Sequence, residues 1–358
     1  ALFDIPFIAV TGSVGKTTTK EMIAEILNTR FNVLKTPGNL NNEIGLPLTL
    51  FQLDDCHDMG VVELGMSGLG EIQRLTNVVK PKVAVITNIG VAHIEKLGNK
   101  QNIARAKMEI LEPLTKNDIA VLHADSVELW NEKDKIIPKA VFFGRERGHI
   151  RAKNLVSDDT GVQFDIYGCY GEITFKMTLP GIHNVNNALA AIAVGFELGL
   201  TKEEIQWGLQ NLKLPEMRLQ LKKSFFGAEI IDDAYNANPD SMKAALELLC
   251  QRGQGKKKAA VLGDMLELGN LAEDAHFKIG EYAAKRADKI IAIGNFAESI
   301  KAGALRGKID STCIYTFPTV KEASLEIQDL VKDCDIILVK ASRGLKLEQI
   351  TELLVRRS

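Results

Sequence analysis

The chain has 358 residues, which at roughly 150 residues per domain indicates two or three domains. Its hydrophobic fraction of 46% and charged fraction of 25% are those of a folded globular protein and exclude extended disorder. The net charge of -2 favours neither nucleic acid nor an anionic membrane as a partner, and no apolar run approaches the ~18 residues that span a bilayer.

The first part of the chain alternates short apolar runs with amphipathic stretches, a pattern typical of a mostly parallel sheet with helices on both faces. Apolar runs predict strands at residues 7–10, 59–64, 83–87 and 119–123, with helices at residues 16–29 and 102–114. Two alternating segments, residues 161–167 and 172–178, surround the sequence GCYG and predict an antiparallel hairpin attached to this sheet. The sequence NNALAAIAVGFELGL that follows predicts a closely packed helix.

A second α/β alternation follows the proline-containing sequence LKLPEMRLQ, residues 212–220, which we interpret as a linker. Strands are predicted at residues 229–231, 259–262, 289–293 and 336–339, and helices at residues 241–250, 272–286 and 320–332. This is a second doubly wound unit of about 140 residues, an ordinary domain size. The domains are therefore predicted at residues 1–214 and 215–358.

The sequence TGSVGKTT, residues 11–18, joins the first predicted strand to the first predicted helix, which is the context of a phosphate-binding loop. Glycines there let backbone N–H groups approach phosphate oxygens, and the helix N-terminus adds partial positive charge. In such a loop Lys16 reaches the β- and γ-phosphates, and the Thr17 hydroxyl binds Mg²⁺. Val10 occupies the place of the usual first glycine, so a glycine turn with a surface lysine is the alternative. The predicted nucleotide contacts are Gly12, Ser13, Val14, Gly15, Lys16, Thr17 and Thr18.

Two further polar residues lie near the carboxyl ends of predicted strands. Glu63 ends the run MGVVE, and His93 comes just after VAVITNIGVA. Ligands of open α/β sheets bind at the carboxyl ends of the strands, where an acid can hold the magnesium ion of a nucleotide. Glu63 and His93 are therefore candidate metal or phosphate contacts, although an exposed strand-end carboxylate and a packed histidine fit the same patterns.

Three residues on predicted helices have less specific patterns. Lys107 shares a helical face with Ile103 and Ile110, which is unusual for a lysine, although a side chain that snorkels to solvent explains most such cases. Asn184 and Asn187 lie one helical turn apart and present two amides, either to a nucleotide or to a helix N-terminus.

In the second unit the sequence IIDDAYNANPDSM again places acids at a strand end, before an Asn- and Pro-rich turn and a helix. Asp233 is suited to orient a ribose or an amine nucleophile, while Asp240 or Ser241 would cap the helix. Two more strand-end loops, VLGDMLELG and VKASRG, follow, and the second offers an arginine for a carboxylate. The candidate substrate contacts of this unit are Asn236, Asn238 and Arg343.

Eight segments across the whole chain, taken in order, resemble the Mur ligase family: TGSVGKTTTKEM, TPGNLNNEIGLPLTL, VVELGMSGLGEI, TNIGVAHIEKLG, ARAKMEIL, GIHNVNNALAA, DDAYNANPDSM and VLGDMLELG. The DDAYNANP and LGDMLELG segments most resemble the branch that joins D-alanyl-D-alanine to the UDP-N-acetylmuramoyl-tripeptide. A shorter glycine pattern before GKT is also a trait of this family, which accounts for Val10.

The resemblance implies a central P-loop ATPase-like domain, with a mostly parallel sheet plus an antiparallel hairpin, followed by a Rossmann-like α/β domain. It implies an ATP-dependent amide ligase of peptidoglycan precursor synthesis. Members of the family transfer the γ-phosphate of ATP to the terminal carboxylate of the substrate, and an amine attacks the resulting acyl phosphate. The implied cofactors are ATP, Mg²⁺ at two sites and a carbamylated lysine.

The resemblance also implies roles for individual residues. The implied catalytic residues are Lys16, His93, Lys107 and Arg218. The implied metal ligands are Thr17, Glu63, His93 and Lys107, of which Lys107 matches the lysine that is carbamylated in the family. The implied nucleotide contacts outside the loop are Asn184, Asn187, Arg218 and Asp233. Arg218 lies beyond the linker and would touch the γ-phosphate only when the two domains close, a motion that would also shield an acyl phosphate from water.

Family members carry an N-terminal domain that binds the uridine nucleotide of the substrate, and here we find none before the phosphate loop. We therefore expect a chain that retains the ATP site and binds the UDP-linked tripeptide poorly or not at all. We also expect a monomer that acts on small molecules in the cytoplasm, with no nucleic acid partner and no membrane insertion.

Two alternatives remain open. Another ligase of the same superfamily would add diaminopimelate or lysine, or would extend folate with glutamate. The first of these would show an Asp-Asn-Pro-Arg-type motif in its last domain, which we do not find in the sequence. The second alternative is a nucleotide-binding module without ligase activity.

Overall fold

The structure is a computed structural model that describes residues 4–158 and 160–356. Residue contacts divide the chain into two units, Ala1–Lys213 and Leu214–Ser358. Among the described residues, we find no helix that combines the length and the apolar character of a membrane span.

The first unit is built on one sheet. Its described strands are β1 (Phe7–Thr11), β2 (Val33–Lys35), β3 (Met59–Glu63), β4 (Val83–Ile86), β5 (Ile119–His123), β6 (Lys139–Gly144), β7 (Ile150–Asp158), β8 (Gly161–Gly168) and β9 (Ile173–Met177). Their order is β2-β3-β1-β4-β5-β6-β7-β8-β9. All pairs from β2 to β7 are parallel, whereas β8 is antiparallel to both β7 and β9. The predicted parallel sheet with an antiparallel addition is confirmed, and the addition has a third strand, β7, that we did not predict.

Helices cover the parallel part of this sheet. They are α1 (Lys16–Leu27), α2 (Gly45–Leu50), α3 (Glu71–Val79), α4 (Ile94–Leu97), α5 (Lys100–Met108), α6 (Val127–Asn131), α7 (Asn184–Glu197) and α8 (Lys202–Gln210). Every residue of β1, β3 and β4 is buried, because α1 and α7 pack together on one side and α3 and α5 contribute to an apolar core on the other. These buried strands, whose exceptions to an apolar run are Thr11 and Glu63 at the carboxyl ends, were the easiest to predict from the sequence.

Helix α5 is shorter than the sequence predicts. It ends at Met108 and gives way to a 3-10 turn, Glu109–Leu111. The Glu109 carboxylate accepts hydrogen bonds from the backbone N–H groups of Gly70 and Gln73, at 2.7 and 3.1 Å, in the first turn of α3. The predicted end at residue 114 was therefore wrong: apolar spacing continues past the point where the helix ends.

The second unit contains a six-stranded sheet in its described residues. The strands are β10 (Gln220–Lys223), β11 (Glu229–Asp232), β12 (Lys258–Gly263), β13 (Lys289–Ile293), β14 (Ile314–Phe317) and β15 (Ile336–Lys340), in the order β10-β11-β15-β12-β13-β14. Only β10, at one edge, is antiparallel to its neighbour. The helices are α9 (Pro239–Arg252), α10 (Ala272–Ala283), α11 (Ala297–Arg306), α12 (Val320–Val331) and α13 (Glu348–Val355). The predicted linker overlaps the start of this sheet, since Gln220 belongs to β10.

Parallel pairing decides where the loops of the first unit meet. Val10 pairs with Glu63 of β3 and with Val85 of β4, so the carboxyl ends of these three strands lie side by side. The loop before α1, the end of β3 and the segment after β4 therefore share one edge of the sheet. This is the edge at which open α/β sheets bind ligands.

Candidate nucleotide-binding site

The loop between β1 and α1 has a backbone that requires glycine at two positions. Gly12 has φ +149° and Gly15 has φ +83°. A Cβ atom at Gly12 would lie 1.8 Å from Thr87 Oγ1, and one at Gly15 would lie 2.3 Å from Asn187 Oδ1. Both the torsion angles and the neighbouring atoms exclude larger residues, so the loop leaves its backbone open to close approach.

Two residues after β4 hold this loop in place. Asn88 Oδ1 accepts hydrogen bonds from the N–H groups of Ser13 and Val14, at 3.1 and 2.9 Å. The Thr87 hydroxyl donates to the Val14 carbonyl at 2.6 Å. In the sequence these residues are visible only as part of TNIGVAH, and we did not predict a role for them. The N–H groups of Ser13 and Val14, two of the seven loop residues predicted to contact a nucleotide, are thus engaged by Asn88 in this structure.

Lys16 and Lys107 meet at the start of the loop. Lys16 Nζ donates to the Gly12 carbonyl at 2.9 Å, and Lys107 Nζ donates to the same oxygen at 3.0 Å. Lys107 is 1% exposed, so its side chain does not snorkel to solvent. Burial, together with the nearby charge of Lys16, lowers the pKa of Lys107 well below its ordinary value. The site therefore contains a buried lysine that tends towards the neutral amine.

Glu63 is held at the end of β3 by three neighbours. Its Oε2 atom accepts from the Thr17 hydroxyl at 2.6 Å, and its Oε1 atom accepts from the Asn41 amide at 2.7 Å. Its backbone N–H donates to Thr36 Oγ1 at 3.0 Å. The carboxylate is 2% exposed, which contradicts the alternative of an exposed strand-end acid. Asn41 lies in the segment TPGNLNNEIG, whose amides carry no distinctive spacing, and it was missed.

The other predicted residues of the first unit lie after β4, in α1 and at the start of α7. His93 follows β4, is half-buried and has φ +64° as the residue that precedes α4. Thr18 is buried in α1. Asn187 accepts from the Thr19 hydroxyl at 3.2 Å and donates to Asn184 Oδ1 at 3.1 Å, which ties the start of α7 to α1.

The alternative of an asparagine pair that caps a helix is wrong for α7. Its N-cap is His183, and Asn184 is the first helical residue. The amide of Asn184 donates instead to the carbonyl of Pro180 at 2.8 Å, and this asparagine is 1% exposed. Asn187 therefore links α7 to α1, whereas Asn184 bonds to the turn that precedes its own helix.

Arg218 and Asp233 are neighbours within the second unit. The Arg218 guanidinium stacks over the ring of Tyr235, 4.1 Å from its centroid. Asp233 Oδ1 accepts from the backbone N–H of Leu219 at 3.3 Å, and its Oδ2 atom forms an ion pair with Lys340. Lys340 belongs to the segment VKASRG, of which we had singled out only the arginine.

The remaining predicted residues of this unit have identifiable partners. The side chain of Asn238 caps α9 in a capping box with Ser241, so the expectation of Asp240 or Ser241 as the N-cap was wrong. Asn236 Oδ1 accepts from the N–H of Ala237 at 2.9 Å. Arg343 forms an ion pair with Glu348 at 2.9 Å and contacts the sulfur of Met217.

Two family profiles match this chain. Residues 10–195 match the Mur ligase middle domain, and residues 217–343 match the Mur ligase, glutamate ligase domain. The first match contains the glycine loop, Glu63, His93 and Lys107. The second match contains Arg218 and Asp233.

Named relatives and solved structures agree with these matches. The UDP-N-acetylmuramoyl-tripeptide–D-alanyl-D-alanine ligase of Bacillus subtilis is 40% identical over 349 residues, which are 97% of this chain and 75% of that protein. A crystal structure of MurF from Acinetobacter baumannii has a TM-score of 0.89 at 33% identity, over 98% of this chain and 77% of that one. MurF ligase from Thermotoga maritima in complex with ADP has a TM-score of 0.86 at 31% identity, over 99% of this chain and 80% of that one.

Proposed function

Because the chain belongs to the Mur ligase family, we propose that it is an ATP-dependent amide ligase that joins D-alanyl-D-alanine to UDP-N-acetylmuramoyl-tripeptide, a step of peptidoglycan precursor synthesis. The observation that carries this proposal is the 40% identity to the Bacillus subtilis ligase of that name over 97% of the chain. The ADP in the Thermotoga maritima neighbour supports ATP as the phosphoryl donor.

The geometry of the first unit supports a role in holding the phosphates of ATP. The glycine loop lies at the N-terminus of α1, where N–H groups and the helix dipole favour an anion. Lys16 already lies against this loop through the Gly12 carbonyl, from which its long side chain can turn to a phosphate oxygen. Asn88 keeps the loop in one conformation, so binding costs less ordering.

The residues near Glu63 fit a magnesium ion. Mg²⁺ prefers oxygen ligands, commonly one or two carboxylates together with phosphate oxygens. Glu63 and the Thr17 hydroxyl offer two such oxygens 2.6 Å apart in a buried setting. We assign Thr17 and Glu63 to one magnesium site, and His93 and Lys107 to the second. When bound, Mg²⁺ neutralises charge on the phosphate oxygens.

Lys107 can bind Mg²⁺ at the second site only after chemical modification, because an unmodified ammonium group repels a cation. The lowered pKa of Lys107 favours the neutral amine, which can add to CO₂ and lose a proton to become a carbamate. A carbamate has the negative oxygens that a metal ligand needs. We assign this modification to Lys107.

The proposed reaction has two steps. A carboxylate oxygen of the tripeptide attacks the γ-phosphorus of ATP, so that an O–P bond forms and ADP leaves. The amine of D-alanyl-D-alanine then attacks the carbonyl carbon of the acyl phosphate, a C–N bond forms, the amine loses a proton, and the C–O bond to phosphate breaks. Cations stabilise the charge on the transferred phosphoryl group, a role we assign to Lys16 and Arg218.

The chain would act as a monomer on small molecules, and the reaction would take place in the cytoplasm, where ATP is available.

The proposed reaction is tested by phosphate release from the purified chain. Release is measured in a complete mixture and in three further mixtures, of which one lacks ATP, one lacks the tripeptide substrate and one lacks D-alanyl-D-alanine. Release that requires all three, with a product of the mass of the UDP-linked pentapeptide, supports the proposal.

Two other outcomes would identify the alternatives. Release that requires a UDP-linked dipeptide with diaminopimelate or lysine, or a folate with glutamate, would indicate a different ligase of the same superfamily. Binding of ATP with no product in any mixture would indicate a nucleotide-binding module.

A further inference from the structure

The segment before β10, which carries Arg218, has a strained backbone in the second unit. Met217 has φ +57° and Leu219 has φ +49°, so the two residues that flank Arg218 both lie in the left-handed region. Side chains without a local hydrogen bond to offer rarely adopt this conformation, and it persists only where surrounding contacts impose it. The backbone on both sides of Arg218 therefore depends on these contacts, and without them Met217 and Leu219 would leave the left-handed region.

Two of the hydrogen bonds that hold this conformation come from the segment that follows β11, while a third joins the Met217 N–H to Gln220 Oε1 at 3.4 Å. Asp233 Oδ1 accepts from the Leu219 N–H at 3.3 Å, and the Tyr235 N–H donates to the Met217 carbonyl at 3.2 Å. The ring of Tyr235 then receives the Arg218 guanidinium at 4.1 Å. The position of Arg218 thus depends on residues 233–235.

Residues 233–236 are in turn held by one buried side chain, that of Lys340 at the end of β15. Its ammonium group pairs with Asp233 Oδ2 and donates to the Asn236 carbonyl at 2.9 Å, with a third, longer contact of 3.5 Å to the Asp233 carbonyl. The three donors of the ammonium group therefore have three acceptors on one short segment. The Lys340 side chain is 2% exposed, so water does not substitute for these contacts.

We propose that Lys340 is a positioning residue. It acts through Asp233 to keep Arg218 stacked on the ring of Tyr235. The ammonium group fixes one carboxylate oxygen of Asp233, and this leaves the other oxygen aimed at the Leu219 N–H. Loss of the ammonium group frees the carboxylate, and the strained segment relaxes away from Tyr235. The inference rests on the proposed contact of Arg218 with ATP for its effect on turnover, but not for its effect on geometry.

The test of geometry uses the full chain with ¹³C-labelled tyrosine rings. The chain has five tyrosines, and the resonance of Tyr235 is identified by its absence in Tyr235→Phe. In Lys340→Met this resonance should move towards its position in Arg218→Ala, which lacks the stacked guanidinium. Lys222→Met is the matched control, since it removes a neighbouring ion pair, to Asp232 at 2.6 Å, and should leave the resonance in place.

The test of function is a comparison of turnover in two backgrounds. Lys340→Met should lower kcat by about tenfold or more in the wild-type chain, but by less than about twofold when Arg218 is already alanine. Lys222→Met should change kcat by less than about twofold in either background. A purely structural role for Lys340 would instead lower kcat equally in both backgrounds, and that result would overturn the proposal.

The position of the Tyr235 resonance tests the role of Lys340 independently of the proposed function. An unmoved Tyr235 resonance in folded Lys340→Met overturns the inference, whatever the activity. A moved resonance, together with undiminished turnover in Arg218→Ala, supports the positioning role and removes Arg218 from the proposed reaction. If Lys340→Met does not fold, Asp233→Asn provides the same spectroscopic test with one atom changed, and an unmoved Tyr235 resonance there overturns the inference equally.

Discussion

Lys16 and Lys107 donate hydrogen bonds to one acceptor, the carbonyl oxygen of Gly12, at 2.9 and 3.0 Å. Two ammonium groups on a single carbonyl repel each other, and the buried one is the less stable as a cation. The pKa of Lys107 is accordingly well below its ordinary value, chiefly because of burial and then because of the charge of Lys16. A neutral amine can react with CO₂, whereas an ammonium group cannot.

The first prediction concerns this reaction. In ¹³C-bicarbonate, the chain should show a carbamate resonance in its ¹³C spectrum, and Lys107→Met should lack it and lose about 100-fold in kcat. Lys20→Met is the matched control because Lys20 is equally buried but forms an ion pair with Glu21 at 2.7 Å. A carbamate resonance that persists in Lys107→Met, or disappears in Lys20→Met, would place the modification elsewhere.

The second prediction is a pH dependence of stability. Lys107 has a lower pKa in the folded chain than the value of 10.5 expected when it is unfolded, so between these two pKa values the unfolded chain binds one more proton. The free energy of unfolding should therefore rise with pH across this interval, by at most about 1.4 kcal/mol per pH unit, and level off above the unfolded value. In Lys107→Met this contribution should be absent.

Urea denaturation in CO₂-free buffers, followed by tryptophan fluorescence, measures this slope. Both tryptophans, Trp130 and Trp207, belong to the first unit, so the signal reports on that unit. Lys116→Met, a change at an exposed lysine, should keep the wild-type slope. An identical slope in the wild-type chain and Lys107→Met would show that the lysine is protonated to the same degree in both states.

The third prediction separates the two roles of the Thr17 hydroxyl. Thr17→Val removes the group that donates to Glu63 and that we assign to Mg²⁺. It should raise the Mg²⁺ concentration required for ATP binding by about tenfold or more, and leave a buried carboxylate oxygen without its donor at a cost of about 1–3 kcal/mol. Thr17→Ser keeps the hydroxyl and should preserve the Mg²⁺ dependence. Calorimetric titration of ATP at a series of Mg²⁺ concentrations measures the change in Mg²⁺ requirement. If Thr17→Val needs no additional Mg²⁺, the hydroxyl binds Glu63 but has no role in binding the metal.

The fourth prediction concerns the glycine loop. Gly15 and Gly199 have nearly equal torsion angles, φ +83° and +79°, but only Gly15 has a close neighbour, Asn187 Oδ1, at 2.3 Å from an added Cβ. Gly199→Ala should therefore cost about 1–2 kcal/mol for the left-handed backbone alone, and Gly15→Ala a further 1–3 kcal/mol, approximately, for overpacking. Adding Asn187→Ala to the Gly15→Ala chain removes the close neighbour and should recover part of the stability lost to overpacking. Urea denaturation of the three variants checks this, and equal losses for both glycines would mean that the loop moves aside without strain.

The fold class was predicted correctly because the apolar composition of each buried strand can be recognised within a short segment of the sequence. Apart from Thr11 and Glu63 at the carboxyl ends of β1 and β3, strands β1, β3 and β4 consist of apolar residues and glycine, and such a run between turns indicates a buried strand of a parallel sheet. Strands β2, β10 and β14, which are three or four residues long and lie at sheet edges, were missed, and so were the longer interior strands β6 and β7. At an edge, one side of a strand lacks a partner, so its composition is less restricted.

The glycine loop between β1 and α1 was predicted because strand, glycine turn and helix are adjacent in the sequence, and its torsion angles follow from its glycines. Lys107 shows the limit of such patterns. Helical periodicity places it on an apolar face, but the same face is compatible with a side chain that reaches solvent or one that is buried. Only the packing of α5 against the loop decides that Lys107 Nζ lies at the Gly12 carbonyl.

What the sequence by itself determined is therefore what depends on neighbours along the chain: the strands, the helix starts, the glycine turn and the family. The tertiary structure alone decided that Asn88 holds the loop, that Asn41 holds Glu63, and that Lys340 holds Asp233. Each of these polar side chains follows or ends a strand or lies in a loop, where the sequence permits many partners. Its partner is chosen by which strands pair, and that choice is made by the burial of the whole sheet rather than by any local segment.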